Sequence, residues 1–370
     1  MPIHSFEPGG VERTALNLAA AWQEAGAEVK VVLGRDEGAM REGAPQLDYV
    51  LEPEPIPTAA FETIWMMWRL WRYLRRNPAD VVFCSGNTYS VVLVVMKLLL
   101  GRRCPPVAIK ISNDLERRDL PWPARKAYHL WLWVQGRMLD HFVGMASPMR
   151  REIGDLVHLP DSRIAIIEDP SLEEGQYQAL CAIARTGPSK TAPHYLAIGR
   201  LARQKNFPLL IEAFAQCGLP DARLTILGEG GDRARIERAI ARHGLAARVA
   251  LPGHSPDTRR YLAEADVLVM SSDYEGVPAV TLEGLAAGLP VASTDCSVSM
   301  RGLLGDGQFG KLAPVGDASA LAGAMRAVLE MPFDAAAARL AAGAFRLSRA
   351  APAYLALFQS LAKPANGPAG

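Results

Sequence analysis

The chain has 370 residues, roughly two to three times an ordinary domain, so two domains are expected. Forty Lys and Arg against 39 Asp and Glu leave a formal charge of +1, which excludes a global electrostatic funnel for nucleic acid. At 49% hydrophobic and 21% charged residues, wholesale disorder is excluded too, and a sizeable buried core is expected.

Along the chain, short β-branched runs alternate with longer amphipathic segments, the pattern of crossover units feeding a parallel sheet. A helix is predicted from Val11 to Glu24, with Ala15, Leu18, Ala19 and Trp22 on one face and Gly26 as its stop. Strands are predicted at residues 28–33, 80–84, 107–111, 141–145 and 163–167. The chain opens abruptly on Met1-Pro2-Ile3-His4, so any strand there is minimal or the start is trimmed. Residues 61–76 form a helix whose wheel sets Arg69, Arg72, Arg75 and Arg76 beside Trp65 and Trp68, with Met66, Met67, Leu70 and Leu74 opposite. Two readings stand for it: a basic, aromatic face suited to anionic headgroups or a lipid-phosphate acceptor, or an ordinary helix whose tryptophans pack under a loop. Residues 91–100, the longest apolar run, are too short to span a membrane; ending in Gly101-Arg102-Arg103 the run could join the same surface, but a core helix is the preferred reading. With no signal-peptide pattern either, neither export nor membrane insertion is expected. Five scattered cysteines without C-x-x-C spacing indicate neither disulfides nor zinc and suit a reducing cytoplasm.

Residues 168–194 break the rhythm, so we expect an N-terminal domain over 1–170, a hinge over 171–193 and a second domain over 194–345. Residues 346–370 are expected to hold a helix returning to the first domain and then a flexible tail. Strands are predicted at residues 195–198, 223–227, 248–251, 266–270 and 290–293, so the fold class is α/β with two doubly wound, Rossmann-like domains. Such sheets bind ligands at the carboxyl ends of their strands, and a substrate cleft is expected between the two.

The chemistry is expected at those strand ends. Arg200 and Lys205 follow the first strand of the second domain, where two cations could neutralise a diphosphate, although solvated surface charges have the same appearance. Gly228-Glu229-Gly230-Gly231 follows the next strand, where glycines let backbone approach a ligand closely; it lacks the third glycine of a dinucleotide fingerprint, and taken alone a tight turn explains it better. In the segment from Asp273 to Pro290, Pro278 suits the first turn of a helix, with Glu275 before it and Glu283 within it. Free amides at that helix start make an anion site between the two carboxylates; the plainer alternative is a loop acid and a solvated helix face. In the first half, Gly9-Gly10 opens a helix and could admit a phosphate.

Taken together and in order, Gly9 to Arg13, Gly199 to Asn206, Gly228 to Gly230 and the E-x7-E spacing of Glu275 and Glu283 resemble glycosyltransferase family 4, over nearly the whole chain. The resemblance implies a GT-B fold and a retaining transfer of a sugar from a nucleotide diphosphate donor to a glycan or lipid-linked acceptor, in cell-envelope polysaccharide, lipopolysaccharide or glycolipid assembly. It assigns Arg200, Lys205 and the amides of Ala279, Val280 and Thr281 to the donor diphosphate, with Gly9, Gly10, Gly228 and Gly230 also on the donor. Glu283 is implied to hold the ribose, and Glu275 the transferred sugar and the charge developing at its anomeric carbon. No cofactor or metal is expected: no two aspartates are separated by one residue, so the D-x-D motif is absent. Many relatives carry a His in the N-terminal domain where this chain reads Ile111-Ser112-Asn113-Asp114; Asn113 is the candidate replacement, and His4, His129 and His141 look less well placed. Nucleic acid is not an expected partner, whereas peripheral contact with the inner face of the cell membrane is. An epimerase of the same fold and a non-catalytic nucleotide-sugar-binding subunit are the alternatives; a dehydrogenase is disfavoured by the missing fingerprint.

Overall fold

A computed structural model describes residues 1–7, 9–54, 57–117, 120–184 and 189–362. The chain forms two units, Met1–Pro170 with the helix Leu347–Leu361, and Ser171–Arg346.

The first unit runs β1 (Pro2–Ile3), α1 (Gly10–Glu24), β2 (Lys30–Leu33), β3 (Asp48–Val50), α2 (Glu62–Leu74), β4 (Val82–Cys84), α3 (Ser90–Leu100), β5 (Val107–Lys110), α4 (Trp122–Met138), β6 (His141–Gly144), α5 (Met149–Val157) and β7 (Ile164–Ile166). Its strands form two parallel sheets, β1-β2-β3 and β4-β5-β6-β7. The opening residues do form a strand: Pro2 and Ile3 pair in register with Val32 and Leu33. β3 escaped the sequence reading because it is short, polar and half-exposed.

The second unit runs α6 (Glu174–Cys181), β8 (His194–Ile198), α7 (Phe207–Gln216), β9 (Arg223–Leu227), α8 (Arg233–Arg242), β10 (Val249–Gly253), α9 (Arg259–Glu264), β11 (Val267–Met270), α10 (Ala279–Ala286), β12 (Val291–Thr294), α11 (Met300–Leu303), β13 (Gly310–Ala313), α12 (Ala318–Glu330) and α13 (Ala335–Ala342). One six-stranded parallel sheet has the order β10-β9-β8-β11-β12-β13. Its central strands are apolar on both faces because helices cover both, and separate apolar clusters fill the two sides. The order reverses between β8 and β11, which opens a crevice at their carboxyl ends. The last helix, α14 (Leu347–Leu361), belongs to the first unit and packs on α1.

The predicted hinge requires correction. Residues 171–184 and 189–193 belong to the second unit, and α6 packs on α10. Arg346 anchors α6 through Glu174 at 3.0 Å, and Tyr177 donates to the Arg339 carbonyl at 3.0 Å. Residues 185–188 and the expected tail at 363–370 lie outside the described residues.

The predicted division of α2 is also overturned. Trp65 and Arg69 turn inward with Met66 and Leu70. Trp65 Nε1 donates to the Gly34 carbonyl at 3.0 Å, and the Arg69 guanidinium spans the carbonyls of Val50 and Glu52 at 2.7 and 3.2 Å. These strand-end carbonyls supply acceptors that a wheel cannot display, so a charged side chain is buried with both terminal nitrogens on backbone oxygens. Trp68, Arg75 and Arg76 remain exposed, and Arg72 is half-exposed.

Trp22 ties the first unit together. It is 3% exposed, packs against Phe83, Tyr354 and Phe358, and donates Nε1 to the Ala351 carbonyl at 3.1 Å. Trp22→Ala leaves a cavity and an orphaned contact with α14, and is expected to lower the unfolding free energy by about 3–5 kcal/mol. Urea denaturation measures it; a change within experimental scatter would contradict this role.

Candidate functional site

In the second unit, the loops after β8 and β11 are tied together across the sheet's reversal point. The Asp273 amide donates to the Gln204 carbonyl at 2.8 Å, Gln204 Nε2 to the Tyr274 carbonyl at 2.9 Å, and Asn206 Nδ2 to Asp273 Oδ1 at 2.8 Å. Ser271 Oγ adds a fourth bond, to the Lys205 carbonyl at 2.8 Å. Asn206 adopts φ 45° and ψ 44°, a left-handed conformation that Asn tolerates better than most residues, and so passes the chain from this turn into α7. On the other side, the loop after β12 holds the same segment: the Glu275 amide donates to the Cys296 carbonyl at 2.9 Å and Ser297 Oγ to the Gly276 carbonyl at 2.7 Å.

Held this way, Glu275 is fixed at the crevice. Its side chain is 11% exposed, and Lys205 Nζ donates to its Oε1 at 2.6 Å. A nearly buried carboxylate paired with an ammonium, both on braced loops, is a preorganised arrangement. Arg200, from the first of these loops, is exposed and makes no ion pair among the described residues. Burial, reinforced by the Glu275 charge, pushes the nearby Cys296 thiol up to about 12, so it stays protonated at neutral pH and offers no nucleophile.

Pro278 lies one residue outside its predicted place, as the extended cap of α10 at φ −75° and ψ 111°, and the helix begins at Ala279. Among the described residues the amides of Ala279 and Val280 have no partner at that start, with Glu275 before them and Glu283 behind. Thr281 does not join them: its amide donates to the Pro278 carbonyl at 3.0 Å, its hydroxyl lies 2.8 Å from Met270 Sδ, and it is wholly buried. Assigning it to the donor overlooked the tight first turn, which consumes the third amide.

Gly228 and Gly230 make the tight turn that their own residues suggest. They have φ of +143° and +155°, and a Cβ there would lie 1.9 Å from the Gly199 carbonyl oxygen and 2.3 Å from that of Leu201. Backbone, not ligand, occupies the space a side chain would need, so these glycines press the β9 loop onto the loop that carries Arg200. The Leu201 amide donates to the Glu229 carbonyl at 2.8 Å across that contact.

Glu283 is half-exposed on α10 and accepts a hydrogen bond from Gln176 Nε2 on α6 at 3.0 Å. Gln176 lies in the segment expected as a hinge, and its only signal in the sequence is the short helical stretch after Asp169-Pro170.

In the first unit, α1 starts at Gly10 after an extended Gly9, and the Glu12 carboxylate lies over Gly9, in the space a side chain there would need. Asn113 is exposed after β5. Beside it, Asn87 Oδ1 accepts from the Ser112 amide at 3.0 Å. His4, set aside in the sequence reading, follows β1 and stacks on buried Tyr89 with ring centroids 4.6 Å apart. The Tyr89 hydroxyl accepts from the His4 amide at 3.1 Å and donates to Glu12 Oε1 at 3.2 Å. Burial lowers the His4 pKa and favours neutral imidazole. His129 lies within α4 and His141 at the amino end of β6. No group of three or more His, Cys, Asp or Glu among the described residues could hold a metal ion.

Comparison with known proteins adds the following. Residues 8–169 match the family model described as Glycosyltransferase Family 4, and residues 182–345 match Glycosyl transferases group 1. The lipopolysaccharide core biosynthesis glycosyltransferase LpsE of Rhizobium meliloti is 28% identical over 329 residues, 88% of this chain and 87% of that protein. The amylovoran biosynthesis glycosyltransferase AmsK of Erwinia amylovora is 36% identical over 140 residues, 34% of this chain and 33% of that one. Among solved structures, the apo form of the lipopolysaccharide outer core galactosyltransferase WaaB superposes with a TM-score of 0.74 at 17% identity, covering 97% of this chain and 100% of that one. Anabaena HepE with UDP and glucose gives 0.72 at 17% identity, covering 97% and 98%. At such identities these structures establish the fold, which is GT-B.

Proposed function

The chain belongs to glycosyltransferase family 4, and on that premise we propose that it moves a sugar from a nucleotide diphosphate donor to an acceptor hydroxyl, with retained configuration and without a metal. That it is a glycosyltransferase follows from the family; donor, stereochemistry and acceptor are our reading. The observation that carries it is the Lys205–Glu275 pair, 2.6 Å apart, beside the open amides of α10.

In this reading the donor diphosphate sits at the α10 N-terminus, where the Ala279 and Val280 amides, Arg200 and Lys205 receive its charge. The bond from the anomeric carbon to the diphosphate oxygen breaks, and its electron pair stays on that oxygen. The acceptor oxygen bonds to the same face of the carbon, and its proton passes to the departing phosphate oxygen. Glu275 stabilises the positive charge on the sugar. Fixed cations and amides need no reorganisation as charge develops, which is how such groups lower a barrier. Glu283 holds the ribose hydroxyls. Gly9 and Gly10 offer amides to phosphate, and Asn113 binds a sugar hydroxyl.

LpsE and AmsK, named for lipopolysaccharide core and amylovoran biosynthesis, support a cell-envelope glycan or lipid-linked acceptor. HepE, solved with UDP and glucose, supports a UDP-sugar donor. Among the described residues no helix is long and apolar enough to cross a membrane. The reading also includes peripheral contact with the inner face of the cell membrane. A thermal-shift screen of UDP-, GDP- and ADP-sugars, followed by a nucleotide-release assay with acceptor, tests it. No stabilisation by any of them would count against the reading, and donor conversion without acceptor would replace it with epimerisation.

Gln176 gives a separate prediction. It orients Glu283, and a hydrogen bond to a carboxylate is worth more than a neutral one, so Gln176→Ala is expected to raise donor KM about tenfold with little change in kcat. Gln176→Glu sets two carboxylates side by side. Protonation of one relieves their repulsion at low pH, so its donor KM should rise as pH increases, unlike that of the native enzyme. Equal KM values in steady-state kinetics across all three proteins would remove Gln176 from the site.

A further inference from the structure

The first unit concentrates tryptophan and positive charge on three helices. α2 and α4 hold six of the chain's seven tryptophans. Residues 62–76, 90–103 and 122–138 carry ten Lys and Arg (four, three and three) and a single acid, Glu62, in a chain whose net charge is only +1. That acid is paired with Arg35 at 2.9 Å. α2 packs on α3 and α3 on α4, so the three stand side by side in one layer.

Three of the ten cations are spent locally: Arg69 on backbone carbonyls, Arg72 on Glu52 at 3.5 Å, and Lys97 on Asp140. Arg75, Arg76, Arg102, Arg103, Lys126 and Arg137 are exposed and have no ion partner among the described residues. Large apolar side chains stand among them: Ile64 and Trp68 on α2, Leu98 and Leu99 on α3, with Leu98 67% exposed. On α4 the exposed stripe is Trp122, Lys126, Leu130, Trp133 and Arg137, at spacings of four, four, three and four, which is one helical face. Trp122 is 64% exposed, and the Arg137 guanidinium lies 5.3 Å from the Trp133 ring centroid. No fold-stabilising purpose requires such side chains in water.

We propose that α2, α3 and α4 form a face that docks on the surface of an anionic lipid bilayer. Tryptophan and leucine insert at the headgroup boundary, where an amphipathic ring is favoured, and the unpaired cations meet lipid phosphates. Charge selects this occupant: six free cations and no free acid on these helices match an anionic surface. The face differs from the one read in the sequence, because Trp65 and Arg69 leave it and α4 enters it, while the exposed end of α3 takes the place the sequence left open to it. The proposal deepens the lipid-linked-acceptor reading and rests on it for its biological purpose, but its test does not pass through turnover.

The full chain is floated with phosphatidylcholine vesicles with and without phosphatidylglycerol. Anionic vesicles should bind it at least about tenfold more tightly, and added salt should weaken the binding. The pairs Trp122→Ser with Trp133→Ser, and Arg102→Glu with Arg103→Glu, should each lose most of it. Brominated lipid should quench the native protein's tryptophan fluorescence, a measurement that does not depend on any variant folding. Equal binding to both vesicle types, no binding, variants that bind like the native chain, absence of quenching, or a dimer dissolved by the same substitutions would each overturn the proposal. Donor thermal shift on the same samples separates the two readings: vesicle binding without a donor shift sinks the transfer reading alone, and a shift without vesicle binding sinks this one alone.

Discussion

Lys205→Ala is expected to lower kcat/KM for the donor about 10²–10³-fold, the usual loss when one preorganised group facing developing negative charge is removed. The expectation comes from placement. Lys205 is held by the bond from Ser271 to its carbonyl and by its ion pair to Glu275, so its charge is positioned before any ligand arrives. The substitution also strips a nearly buried carboxylate of its partner, which should lower the melting temperature. These two effects separate in the double variant Lys205→Ala with Glu275→Gln. Neutralising the orphaned carboxylate should restore much of the stability and none of the turnover. Recovery of turnover along with stability would show that Lys205 is only a structural counterion.

Glu275→Gln should lower kcat by about 10²–10³-fold while changing the affinity for the nucleotide diphosphate less than about threefold. The amide keeps the shape of the carboxylate, and the loop is fixed by backbone bonds to Cys296 and Gln204 that the substitution leaves in place. On the proposed mechanism the negative charge facing the anomeric carbon disappears, so the loss is expected in the transition state. Calorimetric binding of the nucleotide together with steady-state rates measures the division. A loss carried by KM, with kcat unchanged, would reduce Glu275 to a ground-state contact.

The carboxyl-end logic of the second unit was legible because β8, β9, β11 and β12 are short apolar runs, each followed by polar or glycine-bearing turns. β3 and β13 were not: Asp48-Tyr49-Val50 and Gly310-Lys311-Leu312-Ala313 lie at sheet edges and carry no apolar signature. Motif order located Glu275, Glu283 and Lys205, but their partners come from far along the chain. Gln176 meets Glu283 across 107 positions, and Arg69 turns inward to carbonyls that only the folded sheet presents. The tight turn at Gly228 and Gly230 was legible from the residues, but that the backbone of Gly199 and Leu201 presses against them was not. Local periodicity reports which face is apolar; it does not report which buried acceptors will take a polar donor.

The central claim is that α10, Arg200 and Lys205 on the second unit receive the diphosphate without a metal. The direct measurement is calorimetric titration, in excess EDTA, of the nucleotide diphosphate selected by the thermal-shift screen, into the native chain and into Arg200→Ala and Lys205→Ala. The account predicts that chelation leaves native affinity unchanged and that each variant binds at least about tenfold more weakly, as expected for the loss of a charge-assisted contact. Binding that vanishes with EDTA, or that both variants retain at native strength, would contradict it.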